Sequence, residues 1–345
     1  GIMSVPTVYK DQEEFTSGRA TIEQLVEKLD GPLDADAFAD KGVYDVLVIG
    51  GGPAGNSAAI YAARKGLQTG LLAETFGGQV IETVGIENMI GTLYTEGPKL
   101  MAQVEEHTKS YDVDIIKSQL ATGIEKKELI EVTLANGAVL KSKTAILALG
   151  AKWRNINVPG EEEFRNKGVT YCPHCDGPLF EGKNVAVIGG GNSGLEAALD
   201  LAGITKYVTV LEFLPELKAD QVLQERAAKT DNLTILKNVA TKEIVGQDHV
   251  TGLNYVERDT NAEKHLDLEG VFVQIGLVPS TAWLKDSGIE LNERQEIIVD
   301  KFGSTNIPGI FAAGDCTDSA YKQIIISMGS GATAAIGAFD YLIRQ

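Results

Sequence analysis

Twice in this chain a run of apolar, β-branched residues stops at a glycine-rich turn that opens an alanine-rich segment. No other feature limits the possible folds so strongly. Tyr44-Asp45-Val46-Leu47-Val48-Ile49 leads into Gly50-Gly51-Gly52-Pro53-Ala54-Gly55, and Asn184-Val185-Ala186-Val187-Ile188 leads into Gly189-Gly190-Gly191-Asn192-Ser193-Gly194, 139 positions later. Neither apolar run alternates with polar residues, as expected of strands covered on both faces of a parallel sheet. Ala58, Ala59, Ala62 and Ala63 fit a closely packed helix that stops at Gly66, and Ala197, Ala198, Leu201 and Ala202 repeat the pattern before Gly203. Further apolar strands are predicted over 67–73 and 207–211, which completes two strand–helix–strand units.

A Gly-x-Gly-x-x-Gly turn between strand and helix lets the backbone approach a pyrophosphate, while the helix start offers free N–H groups. Here Gly50, Gly52 and Gly55 are followed by Glu74 after 19 positions, and Gly189, Gly191 and Gly194 by Glu212 after 18. Both distances suit a ribose-binding acid at the end of the second strand. The fold class is therefore α/β with two Rossmann-like dinucleotide-binding domains. Two dinucleotides in one chain most simply mean a flavin and a nicotinamide exchanging hydride. Glu212 would repel the 2'-phosphate of NADPH, and the residues after it are Phe213, Leu214 and Pro215, so NADH is favoured. Near the C-terminus Gly309-Ile310-Phe311-Ala312-Ala313-Gly314-Asp315 reads as another buried strand, ending in an acid able to hold a ribityl hydroxyl.

Composition removes other classes. With 48 acidic against 31 basic residues the formal charge is -17, which disfavours nucleic acid and anionic membranes as partners. No apolar stretch is expected to approach the roughly 18 residues of a spanning helix, and the reading is cytoplasmic. Cysteines stand only at 172, 175 and 316, too few for a structural disulfide framework. No second Cys-x-x-Cys or His pair completes a zinc site around Cys172-Pro173-His174-Cys175, so no metal is expected. A redox-active disulfide fits better: the two-residue spacing lets the bond re-form readily. Pro173 suits a first helical position, which would put a Cys172 thiolate at a helix start and lower its pKa. His174 could tune that charge or have no role, and Cys316 reads as a packed bystander.

Taken together, Tyr44 to Gly55, Gly77-Gly78-Gln79, Cys172 to Gly177, Gly189 to Gly194 and Gly314-Asp315 resemble the low-molecular-weight thioredoxin reductase family. Gly150-Ala151-Lys152-Trp153-Arg154, the Pro-His pair between the cysteines and Leu211-Glu212-Phe213 are similar, more narrowly, to the flavoprotein components of bacterial alkyl hydroperoxide reductases. The resemblance implies a discontinuous FAD domain, 44–154 and 283–345, with an NADH/disulfide domain inserted at 155–282. It implies a flavin site lined by Gly50, Gly52, Pro53, Ala54, Gly55, Glu74, Gly78, Gln79, Asn88, Gly150, Gly314, Asp315, Gln323 and Ile324. It implies an NADH site lined by Gly189, Gly191, Asn192, Ser193, Gly194, Glu212 and Gly276. Cys175 would face the flavin, Cys172 would exchange with the next disulfide, and Asp176 would handle the proton. One departure is Ala148-Leu149-Gly150, where the family often has Thr in the middle.

Residues 1–43 stand apart from both units. Val5–Tyr9 is expected as a strand, 10–14 as a turn, 21–29 as an amphipathic helix and 31–40 as a linker. They resemble the end of a thioredoxin-like domain, and no cysteine precedes Cys172. The expectation is a flavoprotein lacking most of the N-terminal dithiol domain that would carry electrons to a peroxiredoxin partner for peroxide detoxification. The family also suggests a homodimer, and disulfide and nicotinamide taking turns at the flavin by domain rotation. Two other functions compete: a free-standing NADPH-dependent thioredoxin reductase, and a redox sensor without turnover.

Overall fold

The computed structural model describes residues 7–10, 13–17, 35–38, 41–83 and 85–345. The chain divides into two compact units. The first takes the described residues up to Ile81 together with Pro98–Ala151 and Pro279–Gln345; the second takes Glu82–Gly97 and Lys152–Val278.

The parallel layer of the first unit has the spatial order Val113–Lys117, Thr69–Phe76, Tyr44–Gly51, Val139–Leu147. Val46 and Val48 face one side and Leu47 and Ile49 the other, and each side has its own buried cluster. The strand Val139–Leu147 changes partner along its length. Its first half alternates exposed and buried residues and pairs antiparallel with Ile130–Leu134, while Ala145–Leu147, all buried, pair parallel with Ile310–Ala312. Alternation suits a sheet wet on one face and the continuous run one covered on both.

The helix Pro53–Arg64 packs against Ile324–Leu342, which buries Ser327, Gly331, Ala334, Ala335 and Ala338. At Gly331 a Cβ would sit 2.1 Å from the Ala54 carbonyl oxygen, so the two backbones meet there and only glycine fits. This 19-residue helix corrects one expectation: by length and composition it could cross a membrane, although the sequence suggests no stretch near that length. Gly329, Ser330, Gly331 and Gly337 disguise it in the sequence, because small residues read as breaks unless a neighbour packs closely on them.

In the second unit five parallel strands are ordered Val169–Thr170, Gly270–Val273, Asn184–Ile188, Tyr207–Glu212, Leu233–Lys237. Three antiparallel strands, Val239–Gly246, Val250–Glu257 and Ala262–Asp267, form a separate sheet. Both parallel layers expected from the repeat are therefore present, each accompanied by antiparallel strands. The segment Glu82–Gly97 clusters with this unit: Arg165 Nη1 lies 3.0 Å from Glu82 Oε2, and Asn166 Nδ2 donates to the Glu82 carbonyl at 3.0 Å.

At the N-terminal side, Thr7–Lys10 and Glu13–Ser17 pair as an antiparallel hairpin. Of the strand expected over Val5–Tyr9, Thr7–Tyr9 are in a strand and residues 5 and 6 lie outside the described residues; the turn expected over 10–14 is shorter because Lys10 already pairs with Glu13. The helix expected over 21–29 lies outside the described residues. Within the expected linker, Ala35–Phe38 form one 3-10 turn, and Phe38 joins the core of the first unit.

Candidate active site

The glycines of each fingerprint differ in what holds them. Gly50 and Gly189 have φ of 120° and 118°, in the region that favours glycine, and a Cβ on either would strike a carbonyl oxygen, of Ala148 at 2.1 Å or Gln274 at 2.5 Å. At Gly55 and Gly194 a Cβ would lie 1.7 and 2.0 Å from the carbonyl oxygens of Gly50 and Gly189, where helix start and strand end touch. The middle glycines have no such reason. Gly52 (φ -79°) and Gly191 (φ -82°) have backbones any residue can adopt. A Cβ on Gly191 would meet nothing within 4 Å, and on Gly52 only Gly78 Cα at 4.0 Å. Each middle glycine borders a helix start without side-chain capping, so open space faces unpaired donors. A phosphate-bearing ligand fits such a cradle.

Around the first cradle the structure gathers several expected residues. The Gly77 N–H donates to the Gly51 carbonyl at 2.8 Å, and a Cβ on Gly78 would come within 3.2 Å of Gly52 Cα. A Cβ on Gly314 would come within 2.9 Å of the Ala54 side chain. Pro53 opens the helix, Gln79 lies on the 3-10 turn Gly78–Glu82, and Gln323 caps the helix that begins at Ile324. Asp315 accepts from Ser327 Oγ at 2.9 Å. Burial raises its carboxyl above the ordinary range, against the pull of Ser327 and Lys322. Glu74 is exposed. Gly150 takes φ 68° just before the chain leaves this unit. Asn88 belongs to the segment Glu82–Gly97, which clusters with the second unit.

Around the second cradle Glu212 is buried and both its oxygens accept backbone hydrogen bonds, Oε2 from the Gly190 N–H and Oε1 from the Leu214 N–H at 2.7 Å. Asn192 is turned to Asp220, whose N–H donates to its Oδ1 at 2.7 Å, while Ser193 is exposed. Gly276 has φ 105° and nothing within 4 Å of a Cβ.

Cys172 and Cys175 are bonded to each other, with Cα atoms 5.2 Å apart. Cys172 is the N-cap residue and Cys175 lies within a one-turn helix, Pro173–Asp176, that follows the edge strand Val169–Thr170 of the sheet carrying the second cradle. Pro173 is the first helical residue, as expected, but four residues make a much weaker dipole than a full helix. Burial raises the Asp176 carboxyl and the Thr170 hydroxyl, which donates to Asp176 Oδ2, pulls it down. His174 is exposed and faces Asp200 at 3.2 Å. Cys316 is fully buried, its Sγ 3.4 Å from the Ala313 carbonyl oxygen; burial pushes its thiol to about 11, so it stays protonated and unreactive.

Some residues that shape these sites carry no sequence signal. Asn56 is fully buried, donates to the carbonyls of Gly51 at 2.8 Å and Gly52 at 3.0 Å, and accepts from Thr108 at 2.8 Å, bracing the first cradle. Tyr171, next to Cys172, donates to the buried Glu161 at 2.9 Å, and its carbonyl accepts from Gln274 Nε2 at 2.8 Å. Tyr, Asn and Thr at such positions are indistinguishable from ordinary helix and strand residues until the partners are known.

Comparison with known proteins agrees with this geometry. Two relatives called NADH dehydrogenase, from Ferdinandcohnia aciditolerans and Bacillus subtilis, are each 66% identical over 344 residues, which is 100% of this chain and 66% and 67% of theirs. The F subunit of alkyl hydroperoxide reductase from Staphylococcus aureus is 58% identical over 345 residues, 100% of this chain and 68% of its own. The chain thus spans about two thirds of the length of these curated relatives. Among solved structures, thioredoxin reductase from Streptococcus pyogenes matches with a TM-score of 0.83 and 36% identity, covering 88% of this chain and 99% of that one. The enzyme from Giardia duodenalis gives 0.84 and 27%, covering 88% and 100%. The match to the family described as pyridine nucleotide-disulphide oxidoreductase runs over residues 44–331, taking in both cradles and the cysteine pair. With two glycine cradles, a bonded Cys-x-x-Cys and that match over most of its length, the chain belongs to the pyridine nucleotide-disulphide oxidoreductase family.

Proposed function

We propose that the chain is the NADH-dependent reductase body of an alkyl hydroperoxide reductase flavoprotein, moving electrons from NADH through FAD to the Cys172–Cys175 disulfide. The observation that carries this reading is the bonded cysteine pair with a half-buried carboxyl, raised by that burial, one residue beyond it, in a chain with two dinucleotide cradles. FAD would rest on the first cradle, with Gly52 facing its pyrophosphate, Gly78 beside that turn and Asp315 toward its sugar chain. NADH would rest on the second, with Gly191 at the pyrophosphate and Glu212 at the ribose. A bound flavin supplies two-electron transfer between nicotinamide and disulfide.

The chain's own residues do the rest. Opening the disulfide with two electrons and one proton leaves one thiol and one thiolate, and on this reading Asp176 gives that proton. Cys172 would be the exchanging thiol and Cys175 the sulfur that accepts electrons from a bound flavin. Glu212, fixed by two backbone donors, favours ribose hydroxyls over a 2'-phosphate, which argues against an NADPH-dependent thioredoxin reductase. An onward path to a dithiol and a peroxiredoxin, in a cytoplasmic homodimer, is part of this reading, and the alkyl hydroperoxide reductase name of the Staphylococcus relatives supports it as far as peroxide reduction. A second reading, NADH oxidation with an acceptor other than a disulfide, is favoured by the name NADH dehydrogenase among 66% identical relatives.

Anaerobic titration of the flavin-loaded protein separates the two. On the first reading NADH is consumed for two centres, flavin and disulfide, and Cys175→Ser takes up electrons at the flavin alone and loses turnover with disulfide acceptors. Unchanged electron uptake in Cys175→Ser would leave only the second reading.

A further inference from the structure

The threonine that ends the edge strand has no role in the chemistry described so far, yet it touches both halves of it. Thr170 is buried, donates its hydroxyl hydrogen to Asp176 Oδ2, and accepts the Cys172 N–H on the same oxygen at 3.4 Å. One hydroxyl therefore joins the carboxyl that would handle the proton to the backbone of the cysteine whose bond opens. Its own place is fixed from outside: Val169 and Thr170 pair parallel with Val271 and Phe272 of the central sheet, and Tyr171 beyond it is tied to Gln274 and Glu161. The link is thus anchored to the sheet rather than to the short turn.

We infer that Thr170 is a positioning residue for proton transfer to the Cys172–Cys175 pair, holding the Asp176 carboxyl in place for the sulfur that receives its proton. This rests on the reading of Asp176 as the acid. In the forward step the S–S bond would break on accepting the two electrons that a bound flavin would supply, Asp176 would lose its proton to one sulfur and become a carboxylate, and the other sulfur would remain a thiolate. The hydroxyl keeps its hydrogen throughout; it donates to the carboxylate and so favours the form Asp176 takes after the transfer. On re-oxidation by a partner disulfide the same carboxylate recovers the proton.

The electrostatic surroundings are simple. The turn Gly177–Phe180 beside the disulfide has no titratable residue. The helix Asn192–Ala202, also packed against it, brings Glu196 and Asp200, both exposed, and Asp200 faces His174 rather than the carboxyl. The strand Val169–Thr170 has no charge. Burial and Thr170 are the influences acting on Asp176.

Thr170→Val keeps the β-branched shape and removes the hydroxyl; Thr170→Ser keeps the hydroxyl. Two measurements on the flavin-loaded protein read the effect. The first is the anaerobic single-turnover rate of disulfide reduction across pH. The second is the carboxyl carbon titration of Asp176 by NMR with 13C-labelled aspartate, its signal assigned by loss in Asp176→Asn. Thr170→Val should lower the plateau rate about tenfold, the scale of one lost charge-assisted hydrogen bond, and move both titrations to higher pH, whereas Thr170→Ser should track the parent in both. If Thr170→Val moves neither titration while Asp176→Asn still abolishes the pH dependence of the step, Thr170 is only a strand residue and the inference is overturned. If Asp176→Asn leaves rate and pH profile intact, the assignment of the acid itself fails, and the inference with it.

Discussion

The two glycine cradles share a backbone and differ in how they are braced. Their first glycines lie within 2° in φ, and each third glycine lies against the carbonyl of its own first glycine. The residue that follows the third glycine is Asn56 in one and Leu195 in the other, both fully buried. Asn56 ties its turn by hydrogen bonds, whereas Leu195 contributes only to a hydrophobic cluster. The acids differ in the opposite sense, Glu74 exposed and Glu212 clamped by two backbone N–H groups. Each cradle thus has one polar brace, from the helix in the first unit and from the end of the second strand in the other. The glycine pattern dictates the turn, and the rigidity of the turn is obtained by separate means.

The comparison breaks most visibly at the glycines. Gly55→Ala and Gly194→Ala should each destabilise their unit by about 3 kcal/mol or more, since the added carbon meets a backbone oxygen that cannot move aside. Gly52→Ala and Gly191→Ala should leave unfolding within about 0.5 kcal/mol of the parent, yet weaken FAD and NADH binding respectively by roughly tenfold or more through lost close approach. Denaturant unfolding of the apoprotein beside cofactor titration separates these effects. Equal losses of stability at middle and third positions would end the division of labour proposed for them.

Asn56→Leu copies the second cradle into the first and should cost about 2 kcal/mol, because the turn loses its brace and Thr108 one of its two acceptors. Leu195→Asn is the reciprocal test: it buries an amide in an apolar cluster and should cost at least as much. Glu212→Gln puts an amide NH2 against one of two backbone donors, an expected loss of about 1.5 kcal/mol with a smaller preference for NADH over NADPH. Glu74→Gln, on an exposed side chain, should shift unfolding by less than about 0.5 kcal/mol.

The smallest expected difference concerns pH. Burial alone would raise Asp114, but hydrogen bonds from Lys41 and Tyr44 outweigh it and hold the carboxyl low. Its folded pKa lies below the unfolded one, so its stabilisation is present above the unfolded value and is lost as pH falls through the folded value. Asp176 has the opposite sign: raised by burial, it is a penalty on folding that grows as pH rises past the ordinary carboxylate range. At pH 7 Asp114→Asn should therefore lower unfolding stability, by no more than about 1 kcal/mol given its exposure, and Asp176→Asn should raise it. The Asp176 difference should fade as pH falls through the ordinary carboxylate range and the Asp114 difference only at lower pH, as thermal melts carried from pH 7 into acid would reveal.

How much of this was legible in the sequence follows the range of the interactions. Strand, turn and helix in both units are local patterns, so Val46–Ile49, Gly50–Gly55 and their counterparts at 185–194 could be placed from residue order. The cysteine pair was legible because its chemistry is confined to four residues. Long-range partners decide what was not. Asn56 reaches Thr108, Thr170 owes its place to Phe272, and the helix Ile324–Leu342 tolerates its glycines only because Ala54 lies against Gly331. Segment Glu82–Gly97 follows directly from the glycine turn at Gly77–Gly78, and nothing in its residue order says that it clusters with the second unit.

The change of partner along Val139–Leu147 has a consequence for how the chain can be built. Ala145 must wait for Ile310, 165 residues later, before its last ladder closes, whereas every strand of the second unit's parallel sheet lies between Val169 and Val273. As a ribosome delivers the chain, the inserted sheet can assemble and bury its core while the first sheet still has an open edge at Ala145–Leu147. That edge is apolar, the kind that recruits strands from other chains. The slowest and most aggregation-exposed interval in the synthesis of this protein should be the one between completing Val273 and releasing Ile310–Ala312.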